Sequence, residues 1–130
     1  MNQITIDTAG WIRGHGDAET VEVQMSYDPA DPLAVSLRIV GESRDDCWVF
    51  SRDLLADGLR SMVPVGSGSI QVQATSVLTE ISHLTEDGGV ELLRLPWWNT
   101  REFIRLTHTV VPRGHEELDI DSWLDDLTAP

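Results

Sequence analysis

The sequence predicts an α+β fold: two packed antiparallel β-sheets with helices after each strand set, in a single domain over residues 1–130. Three observations predict it. Apolar and polar residues alternate with a period of two in Val21-Glu22-Val23-Gln24-Met25, and again through Leu33, Val35, Leu37 and Ile39. The connections between such runs are short and turn-like, which makes neighbouring strands antiparallel. The order of strands, helix, strands, helices keeps the two kinds of element apart along the chain.

The first element is a strand or hairpin carrying Ile4, Ile6, Trp11 and Ile12, interrupted by Gly10. After the Val21–Met25 strand, Tyr27-Asp28-Pro29-Ala30-Asp31-Pro32 is a doubly Pro-punctuated turn. It launches a strand with Leu33, Val35, Leu37 and Ile39 on one face and Ala34, Ser36 and Arg38 on the other. Glu42 to Asp46 reads as a polar connection, and Cys47 to Phe50 as a short strand. Cys47, the single cysteine, is expected as a small core or half-buried residue beside Trp48; alone it supports no internal disulfide, which fits a reducing cytoplasm. Ser51 stands where a side chain can cap the next helix, and Asp53 falls in its first turn, where the helix dipole favours an acid. Leu55, Leu59 and Met62 give that helix one apolar face, and Gly58 inside it implies a close packing contact.

Strands follow at Ile70–Ala74, Val77–Leu84 and Val90–Leu95, divided by Thr75-Ser76 and by Thr85 to Gly89. A second helix is predicted from a cap at Asn99 or Thr100, with Phe103, Leu106 and Val110 on its apolar face and Val111-Pro112-Arg113-Gly114 as its stop. Leu118, Ile120, Trp123, Leu124 and Leu127 predict a short amphipathic helix whose wet side carries Asp119, Asp121, Asp125 and Asp126.

Catalytic chemistry finds no foothold. Gly66-Ser67-Gly68 precedes a strand and no lysine exists anywhere, so a phosphate-cradling loop is excluded and a tight turn is the reading. His15, His83, His108 and His115 lack the paired spacing of helical metal sites, so neither metal nor other cofactor is expected. Acid pairs such as Asp45/Asp46 and Asp125/Asp126 read as solvated surface charge, and no Gly-x-Ser-x-Gly elbow is present. The protein is expected to be no enzyme. A formal charge of −13 repels phosphate backbones and anionic lipid, so nucleic-acid binding is disfavoured. The start of the chain lacks a signal-peptide pattern, and no apolar run approaches the roughly 20 residues that span a bilayer. A soluble, unexported protein without membrane insertion is the expectation.

One region runs against the overall charge. Between Arg94 and Arg113 lie Arg94, Arg101, Arg105 and Arg113 with Glu102 as sole acid, beside Trp97 and Trp98. Arg101 and Arg105 share a helix face, with His108 a turn further on. Trp and Arg are enriched in interface hot spots, so Trp97, Trp98, Arg101, Arg105 and His108 form the candidate partner or oligomer surface. The competing reading packs both tryptophans under the helix or between subunits and pairs the arginines with acids of the C-terminal segment.

Two stretches also carry a resemblance. Tyr27-Asp28-Pro29-Ala30-Asp31-Pro32-Leu33-Ala34-Val35 and Trp48-Val49-Phe50-Ser51-Arg52-Asp53-Leu54-Leu55-Ala56-Asp57-Gly58-Leu59 resemble the "YD-x-x-DP-x-AV" and "WVFARDLL-x-x-GL" segments of the SsgA-like proteins, actinobacterial proteins of sporulation and cell division. Gly66 to Val72 and the run from Phe103 to Asp121 resemble further family segments; Ser51, Ser69 and the bulky Leu95-Pro96-Trp97-Trp98 depart from them. The resemblance implies a fold like that of the plant whirly single-stranded-DNA-binding proteins, assembled as a homotrimer. It implies a protein-binding adaptor at division septa that selects septum sites and brings the tubulin-like division GTPase FtsZ there, directly or indirectly. The second hypothesis is a single-stranded nucleic-acid-binding module, for which stacked Trp and Arg are suited.

Overall fold

The computed structural model describes residues 3–116. Its elements are β1 (Ile4–Arg13), β2 (Glu19–Tyr27), β3 (Ala34–Gly41), β4 (Arg44–Ser51), α1 (Arg52–Gly58), β5 (Ile70–Ala74), β6 (Leu78–Leu84), β7 (Val90–Pro96) and α2 (Trp97–Val110). The predicted amphipathic helix at Leu118–Leu127 lies outside the described residues.

The strands form one seven-stranded antiparallel sheet in the order β4-β3-β2-β1-β7-β6-β5, where two sheets were expected. The cause is β1. It runs through Gly10 without a break, pairs with β2 from Ile4 to Ile12, and pairs with β7 at Trp11, Ile12 and Arg13. A Cβ on Gly10 would stand 2.8 Å from Leu95 Cδ2 and 3.1 Å from the Arg94 carbonyl oxygen, so glycine is what lets β7 dock on this strand.

The sheet curls around the helices. Helix α1 continues directly from edge strand β4 yet packs on the opposite edge strand, β5. The Trp48 ring of β4 lies 4.8 Å from that of His83 on β6, and Arg44 of β4 forms an ion pair with Glu91 of β7. Inside this curl Met25, Leu37, Ile39, Leu55, Val72, Ile81, Leu93, Leu95 and Phe103 are fully shielded from water. Gly58 makes the predicted close contact: a Cβ there would come within 2.3 Å of Val72 Cγ1.

Several local expectations hold. The Ser51 hydroxyl accepts the Leu54 N–H at 3.2 Å, capping α1, and Asp53 occupies its first turn. Asp28 Oδ1 accepts the Ala30 N–H at 2.9 Å, and the Tyr27 hydroxyl donates to the Pro32 carbonyl at 3.0 Å, closing the Asp-Pro turn.

Others are corrected. Cys47 is exposed, because Trp48 and Phe50 take the inner face and alternation puts Cys47 outside. Arg44–Asp46 belong to β4, leaving only Glu42 and Ser43 as the turn. Helix α1 ends at Gly58, so Met62 leaves its face and is 86% exposed. Leu33 precedes β3 and is exposed.

Helix α2 starts at Trp97 with Pro96 as its N-cap residue and no side-chain cap. Its buried face is Thr100, Phe103, Ile104 and Thr107, with Leu106 half-buried and Val110 exposed. The threonines bury because their hydroxyls are satisfied locally: Thr100 donates to the Pro96 carbonyl at 3.1 Å and Thr107 to the Ile104 carbonyl at 2.8 Å. Asn99, expected as a cap, instead donates from Nδ2 to the Thr8 hydroxyl of β1 at 2.8 Å.

Candidate functional site: a groove between the two helices

Helices α1 and α2 flank a groove of about 390 Å³ lined by Ala56, Leu59, Arg60, Trp97, Arg101, Ile104, Arg105, His108 and Arg113. Four of the five predicted surface residues therefore come together here. Spacing along α2 explains it: Trp97, Arg101, Ile104, Arg105 and His108 recur every three to four residues and share one side of the helix.

Trp97 is half-buried and anchored, its Nε1–H donating to the Leu59 carbonyl at 3.0 Å across the α1 C-terminus. It forms the groove's apolar end wall. Trp98 lies edge-on to Trp97 at 5.2 Å and is 69% exposed. It stands outside the groove, joined to it by Arg101, whose guanidinium lies 5.9 Å from the Trp97 ring centre and 5.4 Å from that of Trp98. The tryptophans thus divide between the two readings: Trp97 is packed and Trp98 presents itself to solvent.

Among the described residues, the groove arginines that are paired bond acids of α2 and α1, not the C-terminal segment that the competing reading named. Arg105 pairs with Glu102 on its own helix, with bonds of 2.9 and 2.5 Å. That contact holds the Glu102 carboxyl below its usual range and raises the guanidinium. Arg113 reaches across to α1, bonding both Asp57 oxygens at 2.7 and 3.1 Å with Asp53 at 3.3 Å. The hydrogen bond from Arg113 lowers Asp57 correspondingly. Arg94 is not part of the groove; it sits on β7 beside Glu80 at 3.6 Å. His108 is half-buried, and burial first, then the nearby Arg52 and Arg113 charges, push it below its ordinary value, so it is neutral at pH 7. Its Nε2 is buried without a partner among the described residues.

Two residues that position the site were not among the predicted surface residues, although Arg52 falls within the Trp48–Leu59 family segment. Arg60 completes the groove wall from just past α1. Arg52, at the start of α1, is 1% exposed and lies under the Tyr27 ring at 4.9 Å. It donates to the Thr107 carbonyl at 3.2 Å, the Val111 carbonyl at 2.7 Å and Glu116 Oε1 at 2.5 Å. This ties the last turn of α2 to the first turn of α1 and sets the spacing of the groove. Among side chains, a first-turn arginine after a serine cap reads as solvated surface, and only its long-range partners reveal it as core. Among the described residues no cluster of His, Cys, Asp and Glu is arranged to hold a metal ion.

A family model described as Streptomyces sporulation and cell division protein, SsgA, matches residues 21–116, which include both helices and the groove. A sporulation-specific cell division protein of Frankia casuarinae is 32% identical over 90% of this chain and 81% of that protein. The sporulation-specific cell division protein SsgB of Kineococcus radiotolerans is 35% identical over 88% of this chain and 70% of its own length. In three dimensions the chain is similar to the SsgB structure from work relating its mutations to longitudinal cell division during sporulation of Streptomyces coelicolor. The TM-score is 0.77 at 28% identity, over 88% of this chain and 93% of that one. The curled sheet, the two helices and the sequence match agree: the chain belongs to the SsgA family of sporulation and cell division proteins.

Proposed function

We propose that this protein is a non-catalytic, protein-binding adaptor of septum-site selection that acts in the cytoplasm at division septa and recruits FtsZ there, directly or indirectly. The observation that carries the reading is the exposed Trp98 stacked on Arg101 at the mouth of an arginine-lined groove, in a chain whose net charge is −13. An exposed aromatic with a stacked arginine buries large area at low entropic cost, the composition of an interface hot spot. A homotrimer presents the surface three times, so that individually modest contacts sum by avidity.

Single-stranded nucleic-acid binding on a whirly-like fold is the competing reading, and Trp98 with Arg101 is the observation in its favour. The charge argues against it. Of the four arginines in the groove, two already neutralise carboxylates of the same chain, which leaves no continuous positive track for a phosphate backbone.

The double substitution Arg101→Glu with Arg105→Glu tests the adaptor reading. Both side chains are exposed, so the circular-dichroism melt stays within about 1 kcal/mol of the parent in stability. Capture of FtsZ from nuclease-treated lysate of a sporulating actinomycete is lost. A collapsed melt shows that the arginines are structural, and undiminished capture places the partner surface elsewhere.

A further inference from the structure

Among the described residues the groove walls hold four arginines and no carboxylate. Arg105 and Arg113 are matched from outside by Glu102, Asp53 and Asp57, whereas Arg60 and Arg101 have no carboxylate at ion-pair distance among the described residues. Helix α2 adds to this imbalance: no acid lies in its first turn and no side chain caps it, so the positive end of its dipole stands beside Arg101 uncompensated.

The same end is apolar. The Trp97 N–H donates to the Val77 carbonyl at 2.9 Å and the Ala74 N–H to the Ser61 carbonyl at 2.7 Å, which draws the α1–β5 and β5–β6 connections up to the start of α2. There Trp98, Val77 and Met62 are 69%, 65% and 86% exposed.

We propose that this groove receives an acidic amphipathic segment of a partner protein, its carboxylates meeting Arg60 and Arg101 and an apolar side chain meeting the rim of Trp98, Val77 and Met62. This rests on the adaptor reading above and adds the chemistry of the partner. Charge complementarity selects the occupant. A basic segment is attracted to the acidic surface generally but repelled from these walls, and a nucleic acid brings a run of phosphates where only two cations are unmatched. A short acidic segment with an apolar anchor satisfies both cations and excludes water from them.

The test is fluorescence anisotropy with the full chain and a labelled synthetic helical peptide bearing glutamate on one face and leucine on the other. Two counterparts carry glutamine or lysine in place of glutamate. Binding of the glutamate peptide, about tenfold tighter than the glutamine one and lost on raising salt from about 50 to about 300 mM, is expected. Arg60→Glu and Arg101→Glu each weaken it about tenfold with the melt unchanged. Equal binding of glutamate and glutamine peptides, preference for the lysine peptide, or indifference to both substitutions overturns the proposal. So does a gain of more than about tenfold in peptide affinity when Glu117, Asp119, Asp121, Asp125 and Asp126 are all made amides, for then the chain's own acids are the occupant. If no peptide binds while FtsZ capture still depends on Arg101 and Arg105, the acidic-segment chemistry fails and the adaptor reading stands. If capture is also independent of them, both fail.

Discussion

Arg52 is the residue on which the groove's geometry depends. A guanidinium buried this deeply survives because Thr107, Val111 and Glu116 satisfy its two terminal nitrogens and the Tyr27 ring covers it, although its Nε has no partner among the described residues. The Glu116 carboxyl is correspondingly held below its ordinary 4.5, chiefly by the hydrogen bond from Arg52. Arg52→Ala is expected to cost about 3–5 kcal/mol in urea denaturation, the range for breaking a buried ionic contact. Glu116→Gln is expected to cost less than Arg52→Ala, because the amide oxygen still accepts. An Arg52→Ala loss below about 1 kcal/mol would mean that α1 and α2 hold their spacing without it. At this scale the sequence was partly legible. Trp97, Arg101, Arg105 and His108 share a helix side by spacing alone, whereas Arg52 and Arg60 join them through contacts between residues up to 64 positions apart.

Among the elements, α1 shows how local and tertiary demands meet. Its start was written in Ser51 and Asp53, since capping and dipole effects act within one turn. Its end was not, because it is set by the approach of β5 to Gly58. Gly58→Ala gains about 1 kcal/mol of helix propensity but drives a methyl into Val72, so a net loss of about 1–3 kcal/mol is expected by thermal melting. A stabilised variant would show that β5 yields freely. Helix α2 defeated the hydropathy reading for a related reason. Thr100 and Thr107 bond to backbone carbonyls of their own helix and then bury like apolar residues, turning the inner face away from Leu106 and Val110.

At the scale of the whole molecule, the described residues form one continuous sheet wrapped with two helices around a single core cluster. Thermal unfolding followed by far-ultraviolet circular dichroism and by tryptophan fluorescence is therefore expected to give one coincident transition. Two separated transitions would show two independent packing units. The described residues contain no helix long and apolar enough to cross a membrane. Among the described residues, the strands β2 to β7, both helices, the Asp-Pro turn, the Ser51 cap and the family were readable from residue order, because alternation, turn chemistry and capping are encoded within a few neighbours. The joining of the strands into one sheet, the outward turn of Cys47, the burial of Arg52 and the closing of the groove by Arg60 and Arg113 came only with the tertiary structure. Each depends on which distant segment arrives at a given face, and period-two alternation assigns residues to faces without saying what will cover them.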